Sequence, residues 1–247
     1  MKVSIVTATW NSESTIRDTI RSVVSQDYPN IEHIFVDGVS SDDTLNLIST
    51  LAIENRQVVS EKDAGIYDAL NKGIDLASGD IIAFLHSDDT FASSDTLSKV
   101  VACFMRERCS VVYGDLVYVS QNDSAKVVRY WKSRKYDRSL LTRGWMPAHP
   151  AFFMKKEAYE ELGKFDTSYK ISGDYEALLR YLLSDEISTY YLPEVISKMR
   201  VGGVSNRSLA NIVQKMKEDY RAMKNHGLPP LYCLLGKNLS KLQQFFR

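Results

Sequence analysis

Cysteine is scarce and unpatterned in this 247-residue chain: Cys103, Cys109 and Cys233 are odd in number, and no CxxC pair occurs. That argues against a disulfide framework or a thiolate zinc site and points to a reducing compartment. Charge of either sign is not in excess, with 31 Lys plus Arg against 31 Asp plus Glu. Proteins that track nucleic-acid phosphates are usually basic, so nucleic acid is not an expected partner. No apolar run approaches the ~20 residues of a membrane span. The opening MKVSIVTATW also lacks the long apolar core of a signal peptide, so a cytoplasmic location is expected. Internal repeats, low-complexity tracts and Pro/Gly/Ser-rich linkers are missing too, which leaves one compact unit with a short C-terminal appendage as the expectation.

What the chain does have is alternation. Val3–Val6, Ile31–Val36, Gln57–Ser60 and Ile81–Leu85 read as short strands, the last buried on both faces. Apolar residues recur between them at helical spacing. Ile16, Ile20, Val23 and Val24 follow a cap at Asn11 or Ser12, and Leu45, Leu47, Ile48 and Leu51 follow Ser40 and Asp43 in capping-box spacing. Ile66, Ala69, Leu70, Gly73, Ile74 and Ala77 form a third helical face, ended by Ser78-Gly79, and a fourth helix is expected over Asp95–Arg108. Four alternations predict an α/β fold with a mainly parallel sheet and right-handed crossovers.

The remainder is less regular. Val111–Val119 and Val127–Trp131 read as strands, Lys155–Leu162 and Tyr175–Leu183 as helices, and Ile187–Leu192 and Val195–Arg200 as extended. Leu209, Ile212, Val213, Met216, Tyr220 and Met223 make an amphipathic helix that Pro229-Pro230 stops. Leu235, Leu239, Leu242 and Phe246 make a second apolar stripe, accompanied by Lys237, Lys241 and Arg247.

Ligands of an open parallel sheet bind beyond the carboxyl ends of its strands. The residues there are Thr7–Asn11, Asp37-Gly38, Glu61–Asp63 and His86–Asp89, so polar and acidic groups collect on one edge. Asp88 and Asp89 repel one another unless a positive charge intervenes, and a divalent cation suits carboxylate oxygens. A solvated pair at a helix start is the competing account. Asp37 either caps the next helix or touches a ligand. Asp174, before an apolar helix, is either an N-cap or a general base. Gly202–Arg207 is either a plain turn or a loop that meets phosphates through its backbone and Arg207.

Together these residues resemble the family 2 glycosyltransferases of the GT-A fold, in order over about 200 residues. Val3–Asn11 resembles the family's opening strand and turn, and Val36–Thr44 its Asp-Gly-x-Ser-x-Asp-x-Thr block. Asp63–Gly73 is similar to a stretch of the family's bacterial polysaccharide and O-antigen branch. Phe84–Asp89 stands where the family carries its Asp-x-Asp metal motif, and Gly173-Asp174 where its catalytic acid pair lies. Two departures are plain: His86 replaces the first Asp of the metal motif, and Gly173 replaces the acid before the catalytic one.

The resemblance implies a GT-A, Rossmann-like mixed sheet flanked by helices, with C-terminal amphipathic helices. Residues 1–110 would bind the nucleotide-sugar and 111–208 the acceptor, with 209–247 a helical appendage. It implies an inverting, metal-dependent glycosyltransferase using Mn²⁺ or Mg²⁺, with a UDP-sugar as favoured donor. Thr7, Thr9, Asn11, Asp37, Asp63, Gly65, Tyr67, Asn71, Lys72, Ser87, Asp88 and Arg207 would hold the nucleotide-sugar. Asp88 and Asp89 would hold the metal, Asp174 would be the base, and Trp145 and His149 would meet the acceptor. The implied acceptor is a lipid-linked saccharide of a bacterial surface glycan such as lipopolysaccharide O-antigen. The basic amphipathic tail fits either peripheral contact with the inner membrane face or a homodimer through the C-terminal helices. Two other readings stand beside this one. A nucleotidyltransferase is disfavoured because the Thr7–Asn11 turn has no Gly, Lys or Arg. An inactive sugar-nucleotide-binding protein is disfavoured by the joint presence of Asp88, Asp89 and Asp174.

Overall fold

The computed structural model describes residues 1–202 and 208–243, with side chains as far as 239. Arg207 and most of the Gly202–Arg207 loop lie outside the described residues, as do the side chains of Lys241, Leu242, Phe246 and Arg247. The chain opens with β1 (Val3–Thr9), α1 (Ile16–Val24), β2 (Ile31–Asp37), α2 (Thr44–Leu51), β3 (Arg56–Ser60), α3 (Ile66–Leu76) and β4 (Ile81–Phe84). These four strands pair in parallel in the order β3-β2-β1-β4. β1 and β2 are buried at every position, because helices cover both faces. Their polar residues answer one another across the ladder. Thr7 Oγ1 meets His33 Nε2 at 2.9 Å, and Thr9 Oγ1 donates to Asp37 at 3.0 Å. Glu32 accepts from Ser4, from the Ser78 N–H and from the Gly79 N–H, and pairs with Lys2. Burial works to raise the Glu32 pKa, but these partners outweigh it and bring it down to about 2.

The second half contains β5 (Thr90–Phe91), α4 (Thr96–Glu107), β6 (Val111–Val119), β7 (Val127–Trp131), α5 (Ser139–Thr142) and a 3₁₀ turn at His149–Ala151. β8 (Phe152–Lys155), α6 (Lys156–Leu162), α7 (Gly173–Leu183), β9 (Thr189–Arg200), α8 (Leu209–Asn225) and α9 (Pro230–Gln243) follow. Among the described residues one nine-stranded sheet runs β3-β2-β1-β4-β8-β6-β9-β5, with β7 paired to β6. β5, β7 and β8 run antiparallel to the other six, so the sheet is mixed but mainly parallel, as the alternation predicts. Alternate side chains feed separate cores on its two faces. Phe152 joins Val6, Phe84 and Leu178 on one face, while Phe153 joins Ile5, Val100 and Phe104 on the other.

Several local expectations change. β8 is a strand that the periodicity did not announce, since four apolar residues cannot distinguish strand from buried turn. The two extended stretches around Pro193 are one strand, β9. It advances four residues while β6 advances two near Gly114, and this bulge accommodates the proline, which has no N–H to give the ladder. The Ser40–Asp43 capping box does not form: the Ser40 N–H goes to Asp37, and Asp42 takes the Thr44 N–H. Pro229-Pro230 does not stop α8, which ends at Asn225 ahead of Gly227 at φ 70°; Pro230 instead begins α9, where its missing N–H costs nothing.

α8 is turned inside out relative to a packed surface helix. Glu218 and Asp219 are buried, whereas Leu209, Ile212, Val213, Met216 and Tyr220 of its apolar stripe are exposed and Met223 is buried. Lys237 of the basic tail is buried as well, 2.8 Å from Asp219.

Gly73 shows how closely α3 lies on the sheet: a Cβ there would stand 2.2 Å from Val6 Cγ1. Gly73→Ala is expected to destabilise the protein by about 1–3 kcal/mol through overpacking. The measurement is a lowered urea midpoint at unchanged denaturant slope.

Candidate active site

Parallel register brings the carboxyl ends of β1 and β2 level, with Thr9 opposite Asp37. Asp37 is fully buried and accepts from Thr9 Oγ1, the Ser40 N–H, Ser40 Oγ and Ser60 Oγ. Burial pushes its pKa up, but these donors outweigh it and hold the carboxylate below its usual range. Asp37 therefore organises the loop and does not cap α2. Gly38 follows, and a Cβ on it would lie 3.0 Å from Asp63 Oδ2 and 3.5 Å from Trp10 Cδ1. Trp10, 69% exposed, and Asp63 thus flank Gly38 at the sheet edge. The Gly65 N–H donates to Asp63 at 3.0 Å, and Lys72 Nζ pairs with Glu61 and Asp68. Asn11, at φ 46°, accepts from the Ser41 N–H and shapes the neighbouring loop. Two expected contacts point elsewhere: Thr7 is fully buried, and the Asn71 amide both donates to and accepts from the Phe165 backbone.

Beyond β4 the chain turns through His86–Asp89, closed by the Asp89 N–H on the His86 carbonyl at 3.0 Å. Ser12 Oγ donates to Ser87 Oγ at 2.9 Å. Arg200 Nε donates to the Asp88 carbonyl at 3.2 Å, and its guanidinium also pairs with Asp18. Asp89 is fully buried, and neither of its carboxylate oxygens has a hydrogen-bond partner. Burial first, then the charge of Asp88, push its pKa well above the ordinary value.

Asp174 is the second residue of α7, so Ser172 and not Asp174 occupies the N-cap position. Tyr67 Oη donates to the Ile171 carbonyl at 2.7 Å and to Asp174 Oδ1 at 3.2 Å. The Tyr67 ring also accounts for Gly173, because a Cβ there would lie 2.8 Å from the ring. The acid that the resemblance expects at 173 has no room. Glu176, one turn on, is not an alternative base: it pairs with Arg180 and His226, both at 3.0 Å. Burial opposes its ionisation, but these partners bring its pKa down to about 2.

The charges of the three acids act on two further side chains. Burial lowers the His86 pKa, and the charges of Asp88 and Asp174 pull it back up. Burial raises the Tyr118 pKa; Arg129 opposes this, and the charges of Asp89 and Asp174 add to it. His149 stacks on Phe84 at 5.2 Å and lies 6.1 Å from His86. Its Nε2 is buried without a partner, and burial brings its pKa down to about 4. Trp145 packs against Tyr113 and Tyr136, with its Nε1 also buried and unpartnered.

Among the described residues no three His, Cys, Asp or Glu side chains gather as a metal cage. Asp88 and the two unpartnered oxygens of Asp89 nevertheless suit a hard cation, whose remaining ligands would be substrate phosphate and water. Sequence reasoning noted His86 only as a departure from the family motif and missed Trp10 and Tyr118. Trp10 sits in the Thr7–Asn11 turn, but order and spacing do not report its exposure. Tyr118 is an ordinary strand residue with no local signal.

Residues 4–163 match the family described as Glycosyl transferase family 2. A PGL/p-HBAD biosynthesis glycosyltransferase of Mycobacterium bovis is 30% identical over 208 residues, covering 82% of this chain and 78% of the relative. Among solved structures, S. aureus TarS 1-349 in complex with UDP-GlcNAc superposes with a TM-score of 0.69 at 18% identity, over 92% of this chain and 65% of that one. The mannosyltransferase PcManGT of Pyrobaculum calidifontis, in complex with GDP-Man and Mn²⁺, gives 0.64 at 19% identity, over 96% and 73%. At such identities the structural likeness speaks for the fold, and the fold is GT-A. The family match spans well over half of the sequence, and the chain belongs to glycosyl transferase family 2.

Proposed function

We propose that the chain is an inverting glycosyltransferase that moves a sugar from a nucleotide-sugar, a UDP-sugar in the first instance, onto a lipid-linked saccharide of a bacterial surface glycan. What supports this reading is that Tyr67 of α3 reaches Asp174 of α7 at 3.2 Å, while the charges of Asp88 and Asp174 both act on His86 and those of Asp89 and Asp174 on Tyr118. Residues 1–110 form the donor half and 111–208 the acceptor half, with 209–247 appended. Asp37, Asp63 and the Trp10 face bound the nucleobase pocket, with the Thr7, Thr9 and Asn11 backbone behind it. Gly65, Tyr67 and Lys72 form its helical wall, and Ser87 and Asp88 take the ribose. Mn²⁺ or Mg²⁺ held by Asp88 and Asp89 would supply Lewis-acid neutralisation of the departing diphosphate.

Asp174 removes the proton from the acceptor hydroxyl. The acceptor oxygen then bonds to the anomeric carbon, and the bond to the diphosphate breaks on the opposite face, inverting the centre. Tyr67 holds Asp174 Oδ1, which leaves Oδ2 to take the proton. His149 and Trp145, each with a buried nitrogen lacking a partner, are the acceptor-side polar groups.

The outward face of α8 and α9 supports peripheral contact with an anionic bilayer. Val213, Met216, Tyr220 and Leu234 line a groove of about 510 Å³ there, together with Lys217. Leu235 and Leu239 extend the apolar surface, and both acids of α8 are turned inward. Apolar side chains flanked by lysines, with no exposed carboxylate on α8, complement a negative lipid surface. Among the described residues no helix is long and apolar enough to cross a membrane.

Four outcomes are expected. UDP-glucose, UDP-galactose, UDP-N-acetylglucosamine and GDP-mannose, each with Mn²⁺ or Mg²⁺, should include one donor that releases nucleoside diphosphate. Asp174→Asn should lower kcat on it by about 10²–10⁴-fold with unchanged donor affinity; pyrophosphate as the product would sink the proposal. Mn²⁺ with UDP should raise the Tm of the wild type and leave an Asp88→Ala/Asp89→Ala protein unmoved. Phosphatidylglycerol vesicles should sediment the wild type but not Val213→Glu/Met216→Glu; a concentration-dependent dimer without vesicle binding would assign the face to a second copy.

A further inference from the structure

Glu218 lies on α8, outside the segment that matches the family, and the chemistry proposed above makes no use of it. It is only 4% exposed. Its Oε1 accepts the Lys170 N–H at 3.0 Å and the Gln214 side-chain amide at 2.8 Å. Its Oε2 accepts the Ile171 N–H at 2.9 Å and the Ser172 N–H at 2.8 Å. Three successive backbone donors therefore converge on one carboxylate. Burial works to raise its pKa, but Gln214 and these N–H groups outweigh it and keep the group ionised.

The segment so held leads directly into α7. Ser172 is its N-cap residue, yet the Ser172 side chain makes no capping bond; its hydroxyl points to the Lys215 carbonyl of α8 at 3.4 Å. Donors at a helix entrance need an acceptor, and a charged one there is favoured by the helix dipole. Glu218 supplies it from another helix. The same segment is gripped on its carbonyl side, where Tyr67 Oη donates to Ile171. Asp174 follows two residues after Ser172, and the Tyr67 ring closes the space over Gly173. The neighbouring acid repeats the pattern: Asp219 pairs with Lys237 of α9 at 2.8 Å, and that ammonium sits 3.4 Å from the centre of the Tyr175 ring on α7. Both buried acids of α8 thus bear on the first turn of the helix that carries Asp174.

We infer that Glu218 is a positioning residue for Asp174: by accepting the N–H groups of residues 170–172 it sets where the base stands against the acid cluster. Because Asp174 is itself the proposed base, this part for Glu218 depends on that assignment. A carboxylate beside the reacting hydroxyl loses much of its effect when displaced, about 10²-fold for a 1 Å error. Truncating Glu218 therefore acts on the chemical step and not on donor binding.

The test compares wild type, Glu218→Gln, Asp174→Asn and the double variant on whichever donor the screen above turns over. Glu218→Gln keeps the size but removes the charge and turns an amide N–H toward backbone donors. It should lower kcat about tenfold or more, leave KM for the donor within about twofold, and speed hydrogen exchange at the Ile171 and Ser172 amides. In the Asp174→Asn background the same change should have no further effect on the residual rate, because it acts only through that carboxylate. A Glu218→Gln protein with wild-type kcat, or losses from the two variants that multiply, overturns the inference. An Asp174→Asn protein as fast as wild type removes the base assignment itself, and that single variant tells the two failures apart. Should Glu218→Gln fail to fold, Glu218→Asp, which retains the charge but withdraws it by one methylene, is read in the same cycle with the same expected non-additivity.

Discussion

Carboxylates crowded at one end of a buried sheet repel each other and resist losing water, and much of this fold is an answer to that constraint. Each acid is accommodated differently. Asp37 is held ionised by four donors drawn from β1, the following loop and β3. Asp89 lacks a comparable set of donors: burial and the charge of Asp88 push its pKa up, and only Arg200 pulls against them. Asp174 sits at a helix entrance with one oxygen held by Tyr67. Glu176 is ion-paired with Arg180 and in contact with His226 Nε2, and so withdrawn from chemistry. The contrast between Asp37, held by four donors, and Asp89, whose oxygens lack side-chain partners, separates an acid that shapes a loop from one suited to a cation.

Histidine and tyrosine feel the charge of these acids, and Tyr67 bonds to one of them. His86 stands where the family carries an acid, and its burial keeps it largely neutral between Asp88 and Asp174. A neutral ring there avoids a third negative charge without bringing a permanent positive one that would compete with a cation. Tyr67 has a comparable double part: its hydroxyl reaches both the Ile171 carbonyl and Asp174, while its ring excludes any side chain at 173. The substitution of Gly173 for an acid is then a packing consequence of Tyr67.

α8 joins this arrangement from outside the matched segment. Its two acids face inward to the loop before α7 and to Lys237, and much of its apolar stripe faces out. One helix therefore links the immediate support of Asp174 to an apolar and basic exterior surface.

The strand–helix alternation through residue 107, the mainly parallel sheet and the acidic carboxyl edge were all legible in order and spacing, because a strand covered on both faces must be apolar throughout and helices repeat their apolar residues every three or four positions. Asp37, Asp88, Asp89 and Asp174 could be named as candidates on the same grounds. What only the tertiary structure decided is which atoms face one another across the chain. That Asp37 takes donors from Thr9 and Ser60, that Asn71 turns to Phe165, that Tyr67 reaches Asp174, and that Glu218 receives the 170–172 amides are contacts between residues 23 to 107 positions apart. Local periodicity cannot report them. The outward stripe of α8 marks the same limit: spacing shows that a helix has an apolar face, but only the packing of Glu218 and Asp219 against α7 and α9 determines which face is buried.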